Sequence, residues 1–141
     1  MQAKKKRVMV FGVFDGLHEG HRRFLAMARE CGDELIAVVA RDDMVWTLKQ
    51  KTPVQNESQR LQALAAMNEV SHAELGDSEI GTYDVVKEHQ PDVICLGYDQ
   101  DALAKDLTRA MQQGVILAIP LRRITAHKPE SFKTSLSTIQ K

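Results

Sequence analysis

Four short stretches, residues 7–11, 35–40, 92–96 and 115–119, are rich in Val, Ile and Leu and are apolar on both faces. A strand of that kind must be covered on both sides, which is the condition of a parallel sheet flanked by helices. A weaker fifth strand is expected at His72–Leu75. Between the strands lie segments with helical spacing. Residues 19–31 stop before Gly32, and residues 57–68 carry Leu61, Leu64, Ala65 and Asn68 on one face. Residues 82–90 stop before Pro91, and residues 101–113 carry Leu103, Leu107, Ala110 and Met111 and stop at Gly114. The alternation predicts an α/β fold: one doubly wound, mainly parallel, five-stranded sheet forming a single domain over residues 1–141. Two stretches read as irregular, 41–56 and 120–133. In an open α/β sheet such loops gather at the carboxyl ends of the strands, where ligands bind.

The chain has 19 basic and 19 acidic residues among 141, so no global field points to nucleic acid or to a membrane surface. The local run Lys4, Lys5, Lys6, Arg7 reads as a solvated lead-in to the first strand. No apolar run approaches the ~20 residues that span a bilayer, and no signal-peptide pattern is visible. Cys31 and Cys95 are far apart in sequence and lack metal-ligand spacing. Both read as buried thiols of a reducing compartment, which makes a cytoplasmic location the expectation.

The stretch GVFDGLHEGHRRF, from Gly12 to Phe24, joins the first strand to the first helix. A helix start presents unpaired N–H groups and a partial positive charge, and so suits anions. His18 lies at or just before that turn, and His21, three residues on, projects from the same side. Both imidazoles can then address one anion above the strand end. Gly12 and Gly20 lack a Cβ and are expected to let a ligand approach the backbone. The spacing is neither that of a P-loop nor that of GxGxxG. A metal pair on one helix wants a third ligand, and none is obvious by spacing, so no metal ligand is assigned.

At these residues the chain resembles the HxGH nucleotidyltransferases, in their small cytidylyltransferase-like branch. The motif GxFDxxHxGH is matched by Gly12, Phe14, Asp15, His18, Gly20 and His21. A lysine loop is matched by Lys49 and Lys51, a Glu-x-x-Arg helix start by Glu57 and Arg60, and a Gly-x-Asp turn by Gly97, Tyr98 and Asp99. A hydroxyl-bearing C-terminal helix start is matched loosely by Thr134 and Ser135. Val13 stands where the family commonly has Thr or Asn, so one side-chain contact to phosphate is absent. His127, Lys128 and Pro129 stand where archaeal-type FAD synthases carry cysteine.

The resemblance implies a Rossmann-like nucleotidyltransferase fold, Mg²⁺ accompanying the nucleoside triphosphate, and a possible homodimer. It implies that His18, His21, Lys49 and Lys51 act on the phosphates. Gly12, Val13, Phe14, Gly20, Arg60, Gly97, Tyr98, Asp99, Thr134 and Ser135 would surround the nucleotide. Asp15, Trp46 and Arg122 would lie by the acceptor. Bland readings stand beside these: Arg60 as a surface arginine, Asp15 as a turn cap, Trp46 as an anchor for its loop, and His72 and His89 as structural or exposed. The stretches VVARD and LGYDQ resemble archaeal-type FAD synthases, which makes ATP and FMN the expected substrates. The alternatives are CTP with glycerol-3-phosphate, and a nucleotide-binding module without turnover. An apolar wall for a flavin would come from Phe14, Leu17, Trp46, Tyr98 and Phe132.

Overall fold

Alternate residues of each strand face opposite layers, so a strand apolar throughout feeds two cores. In the structure, a computed structural model that describes residues 4–124, this happens along β1 (Arg7–Gly12), β2 (Glu34–Val39) and β4 (Val93–Leu96). On one face Val8, Val10, Leu35, Ala37, Val39, Val93 and Cys95 pack under α1 (Glu19–Arg29) and α3 (Glu57–Ala65), through Leu25, Ala28 and Leu64. On the other, Met9, Ile36, Val38, Ile94 and Leu96 pack under α4 (Asp84–His89) and α5 (Asp101–Gln112), through Val85, Val86, Leu107 and Ala110. The remaining elements are α2 (Asp42–Lys49) and the short strands β3 (His72–Leu75) and β5 (Leu121–Arg123).

The five strands lie in the order β3-β2-β1-β4-β5, and every pairing is parallel. The chain turns to one side after β1 and to the other after β3, so β1 and β4 are neighbours across the switch point, with Val8 beside Val93. The segments after β1 and after β4 therefore open a crevice between them, where ligands of doubly wound sheets bind. Among the described residues no helix is long and apolar enough to cross a membrane.

Three expectations are corrected. The last strand is not 115–119. Gly114 turns with φ +76°, and the Val115 amide donates back to the Ala110 carbonyl at 2.8 Å. This run closes α5 and sends Ile116 into the core, while Leu117 is exposed. Pairing with β4 begins only at Pro120, whose carbonyl accepts from the Ile94 amide at 3.0 Å. Second, the stretch 41–56 is not wholly irregular: it holds α2, in which Val45 is the one fully buried residue, so no apolar stripe announces the helix. Third, only Cys95 is a buried thiol; Cys31, beside it in space, is partly exposed because it lies just past the end of α1. Burial foremost, then the Cys31 thiol beside it, pushes the Cys95 thiol up to about 12.

Candidate active site

The turn from β1 into α1 is closed by a reciprocal cap. The Nδ1 of His18 accepts from the Gly20 amide at 3.0 Å and the His21 amide at 3.4 Å. The Nδ1 of His21 in turn accepts from the His18 amide at 3.3 Å. An imidazole nitrogen that accepts carries no proton, so in the neutral ring the proton sits on Nε2. Both Nε2–H groups then point away from the cap. The rings stack, with centroids 3.8 Å apart and planes 25° apart, so the two donors stand side by side over the helix N-terminus. Burial holds the His21 imidazole below the ordinary histidine range; His18 pushes the same way, and Asp99 pulls against it.

Gly12 and Gly20 serve this geometry in a way the sequence did not suggest. A Cβ on Gly20 would stand 2.9 Å from Cε1 of His18, inside the space the capping ring occupies. A Cβ on Gly12 would stand 2.8 Å from the ring of Phe14. Phe14 itself is buried, holds φ +54°, and meets His21 edge-on at 5.6 Å. It is a floor for the histidine pair and not part of an exposed apolar wall.

Asp15 reaches across to the segment before α3. Its carboxylate accepts from the Val54 amide at 2.8 Å and the Gln55 amide at 2.9 Å. These bonds, Gln55 first, hold its carboxyl below the ordinary range against the opposing effect of burial; the charges of Arg60 and Lys51 add to them. Arg60 lies beneath, fully buried. Its guanidinium donates to the carbonyls of Gln55, Val13 and Ala40 at 3.0, 2.9 and 2.8 Å and to the Asp42 carboxylate at 2.6 Å. Asp42 and Glu57 complete the knot: each carboxylate accepts from the other's amide, at 3.2 and 2.8 Å. Arg60 thus ties the ends of β1 and β2 to the starts of α2 and α3 and does not face the crevice, nor is it a surface arginine.

Across the crevice, Gln100 joins the two strand ends that flank the switch point. It accepts from the Gly97 amide at 2.9 Å and donates to the Phe11 carbonyl at 2.8 Å. Arg123 donates to the Gly97 carbonyl at 2.8 Å and pairs with Asp101. Sequence reading missed both residues. Their one signal is adjacency to the Gly97 turn and to the end of β5.

The Cytidylyltransferase-like family profile matches residues 9–138. The chain belongs to the cytidylyltransferase-like family. Among curated relatives it is 39% identical to the FAD synthase of Pyrococcus horikoshii over 132 residues, 94% of this chain and 89% of that protein. It is 44% identical to the FAD synthase of Methanosarcina mazei over 121 residues, 83% of this chain and 78% of that protein. Among solved structures it is similar to the lipopolysaccharide core biosynthesis protein from Thermoplasma volcanium, at TM-score 0.79 and 35% identity, covering 89% of this chain and all of that one. The pantoate–β-alanine ligase of Francisella tularensis, at TM-score 0.63 and 15% identity, covers 92% of this chain and 62% of that one and shares the fold.

Within this cytidylyltransferase-like site, the remaining expected residues fall at different depths. Lys49 ends α2, and Lys51 follows Gln50, which turns with φ +58°. Both lysines are exposed, and the charge of Lys51 reaches Asp15. Asp99 is exposed, and its charge acts on His21. Tyr98 is exposed beside it. Trp46 shows 55% of its surface, so it is no buried anchor for its segment. Arg122 lies on the edge strand β5 beside Cys95 of β4, outside the group gathered around the histidines. Thr134, Ser135 and Phe132 lie outside the described residues.

Proposed function

We propose that this chain is an FMN adenylyltransferase, which transfers AMP from ATP to FMN and releases pyrophosphate. The observation that carries the chemistry is the reciprocal cap, which turns two Nε2–H donors outward over a helix N-terminus at the switch point. FMN as the acceptor follows the relatives named FAD synthase, which are similar over most of the chain.

The FMN phosphate is already an anion near neutral pH, so no general base is needed. One of its oxygens bonds to the α-phosphorus of ATP while the bond from that phosphorus to the bridging oxygen of the β-phosphate breaks. The electron pair leaves on pyrophosphate. Catalysis is then positioning together with stabilisation of charge on the phosphoryl oxygens. His18 and His21 donate to those oxygens, and each such donor contributes a factor of ~100–1000. Lys51, whose charge is felt at Asp15 on the segment after β1, is the lysine of the pair this reading assigns to the phosphates. Mg²⁺ takes most of its ligands from the triphosphate and few from protein. Asp99 fits as the protein's oxygen donor, because it is exposed and its charge acts at His21, whereas Asp15 is held by two amides. The ion would neutralise charge on the leaving pyrophosphate.

The test is pyrophosphate release with ATP or CTP, each crossed with FMN or glycerol-3-phosphate. Release with ATP and FMN alone is the expected result. Release with CTP and glycerol-3-phosphate, and none with ATP and FMN, would replace this reading with a cytidylyltransferase.

A further inference from the structure

His72 and Glu74 stand two apart on the edge strand β3, so both side chains face the same layer of the sheet. That layer holds α4, whose last residue is His89. The three side chains converge on a single atom. The Oε1 of Glu74 lies 2.7 Å from Nε2 of His72 and 2.6 Å from Nε2 of His89. The imidazole centroids are 5.4 Å apart, and one ligand atom from each of the three residues falls within 4.8 Å of the others.

A carboxylate has two oxygens and about four lone-pair sites, so two imidazoles need not share one oxygen merely to be satisfied. Here both address the same oxygen, which gathers two nitrogens and one oxygen around one point. The side chains of Glu74 and His89 are three-quarters or more covered, while His72 is half exposed and leaves the cluster open to solvent on one side.

We propose that His72, Glu74 and His89 form a binding site for a divalent transition ion of the zinc class, clamping β3 to α4. Two neutral imidazoles and one carboxylate are a His₂Glu donor set, which suits Zn²⁺ with water completing a tetrahedron. Each imidazole ligates through Nε2 as its Nδ1–H tautomer, so the proton that Nε2 gives up is replaced by one taken at Nδ1 and the ring stays neutral. The ion takes the place of the two hydrogen bonds. Ligands ~2.0–2.1 Å from the ion stand roughly 3.3 Å apart in a tetrahedron, so the Glu74 oxygen opens from each Nε2 by less than ~1 Å. The site is set apart from the reaction crevice: it lies on the edge strand β3, separated from β1 by β2, and on the α4 face, whereas the histidine turn leads from β1 into α1 on the opposite face. The ion is therefore structural. It ties an edge strand of four residues to a helix of six, both too short to be held firmly by their own ladders.

The test uses the full chain, stripped by a chelator and dialysed, with Zn²⁺ alone as the probe. Calorimetry gives affinity and stoichiometry, thermal unfolding gives the stabilisation, and Co²⁺ substitution reports four-coordination through its visible bands. The variants are His72→Ala, Glu74→Gln, His89→Gln and His21→Ala. Circular dichroism checks their folding, and the half-exposed His72 and the near-isosteric Glu74→Gln keep the test usable if His89→Gln unfolds. The expected result is saturable uptake with a rise in Tm, weakened at least ~10-fold by each change at His72, Glu74 or His89 and unaltered by His21→Ala. Two results would overturn the proposal: no saturable uptake, or uptake that survives the three site variants, including uptake abolished by His21→Ala, which would place the ion in the reaction crevice.

Discussion

The Nδ1 of His18 starts a helix while its Nε2 faces the crevice, so His18→Ala removes a cap and a phosphate donor together. Asparagine separates them, because it is among the best N-caps and its side-chain oxygen can accept the same amides. We expect His18→Asn to keep stability within ~1 kcal/mol of the parent and to lower kcat by ~100–1000-fold. His18→Ala should match that loss of turnover and also lose ~1 kcal/mol of stability. Urea unfolding and steady-state kinetics on the two variants check this. Turnover of His18→Asn within a few-fold of the parent would mean that the ring serves only as a cap. The same residue explains Gly20: an alanine Cβ there meets the His18 ring at 2.9 Å and drives it out of the cap without touching the core.

The segments after β1 and β2 and the starts of α2 and α3 are held by Arg60 more than by apolar packing, since α2 fully buries Val45 alone. Arg60→Met keeps the volume and removes every donor. It leaves the Val13, Ala40 and Gln55 carbonyls short of a partner and the Asp42 carboxylate without its counter-charge. The expected loss is ~3 kcal/mol or more of stability, with kcat falling too because Asp15 and the lysines are mounted on those segments. Denaturant midpoints and kinetics read both. A variant as stable as the parent would show that these helix starts are held by other contacts.

At the scale of the described residues, carboxyls held ionised by the fold contribute to acid stability, Asp15 and Asp106 among them. Asp15 is held low by the Gln55 and Val54 amides, and Asp106 by Arg109 first and by the Tyr83 hydroxyl, which donates to it at 2.6 Å. For both, the folded-state pKa lies below the unfolded value of ~3.9. The folded state therefore binds fewer protons than the unfolded one in that window, and stability falls as pH drops. Their contribution is complete above ~4 and is lost as pH falls through the lower folded values. Thermal unfolding from pH 7 to pH 3 should show Tm dropping below about pH 4–5. Asp15→Asn should flatten part of that slope; an unchanged slope would remove Asp15 from the account.

The runs of Val, Ile and Leu by themselves determined a parallel sheet with two covered faces, and with it the crevice at the switch point, because an apolar strand has no stable alternative to burial on both sides. The spacing of His18 and His21 determined that two imidazoles meet at a helix start, since residues three apart share a face. Tertiary structure decided the rest. Val115 became the close of a helix instead of a strand, because its amide found Ala110 before any strand edge. Arg60 went under the crevice instead of into it, because four segments distant in sequence each presented it an acceptor. Gly12 and Gly20 make room for the protein's own rings, which no local pattern announces. His72, Glu74 and His89 converge because β3 pairs with β2 and α4 crosses beside it; H-x-E on a strand supplies one face, and only the packing of α4 against the sheet supplies the second histidine.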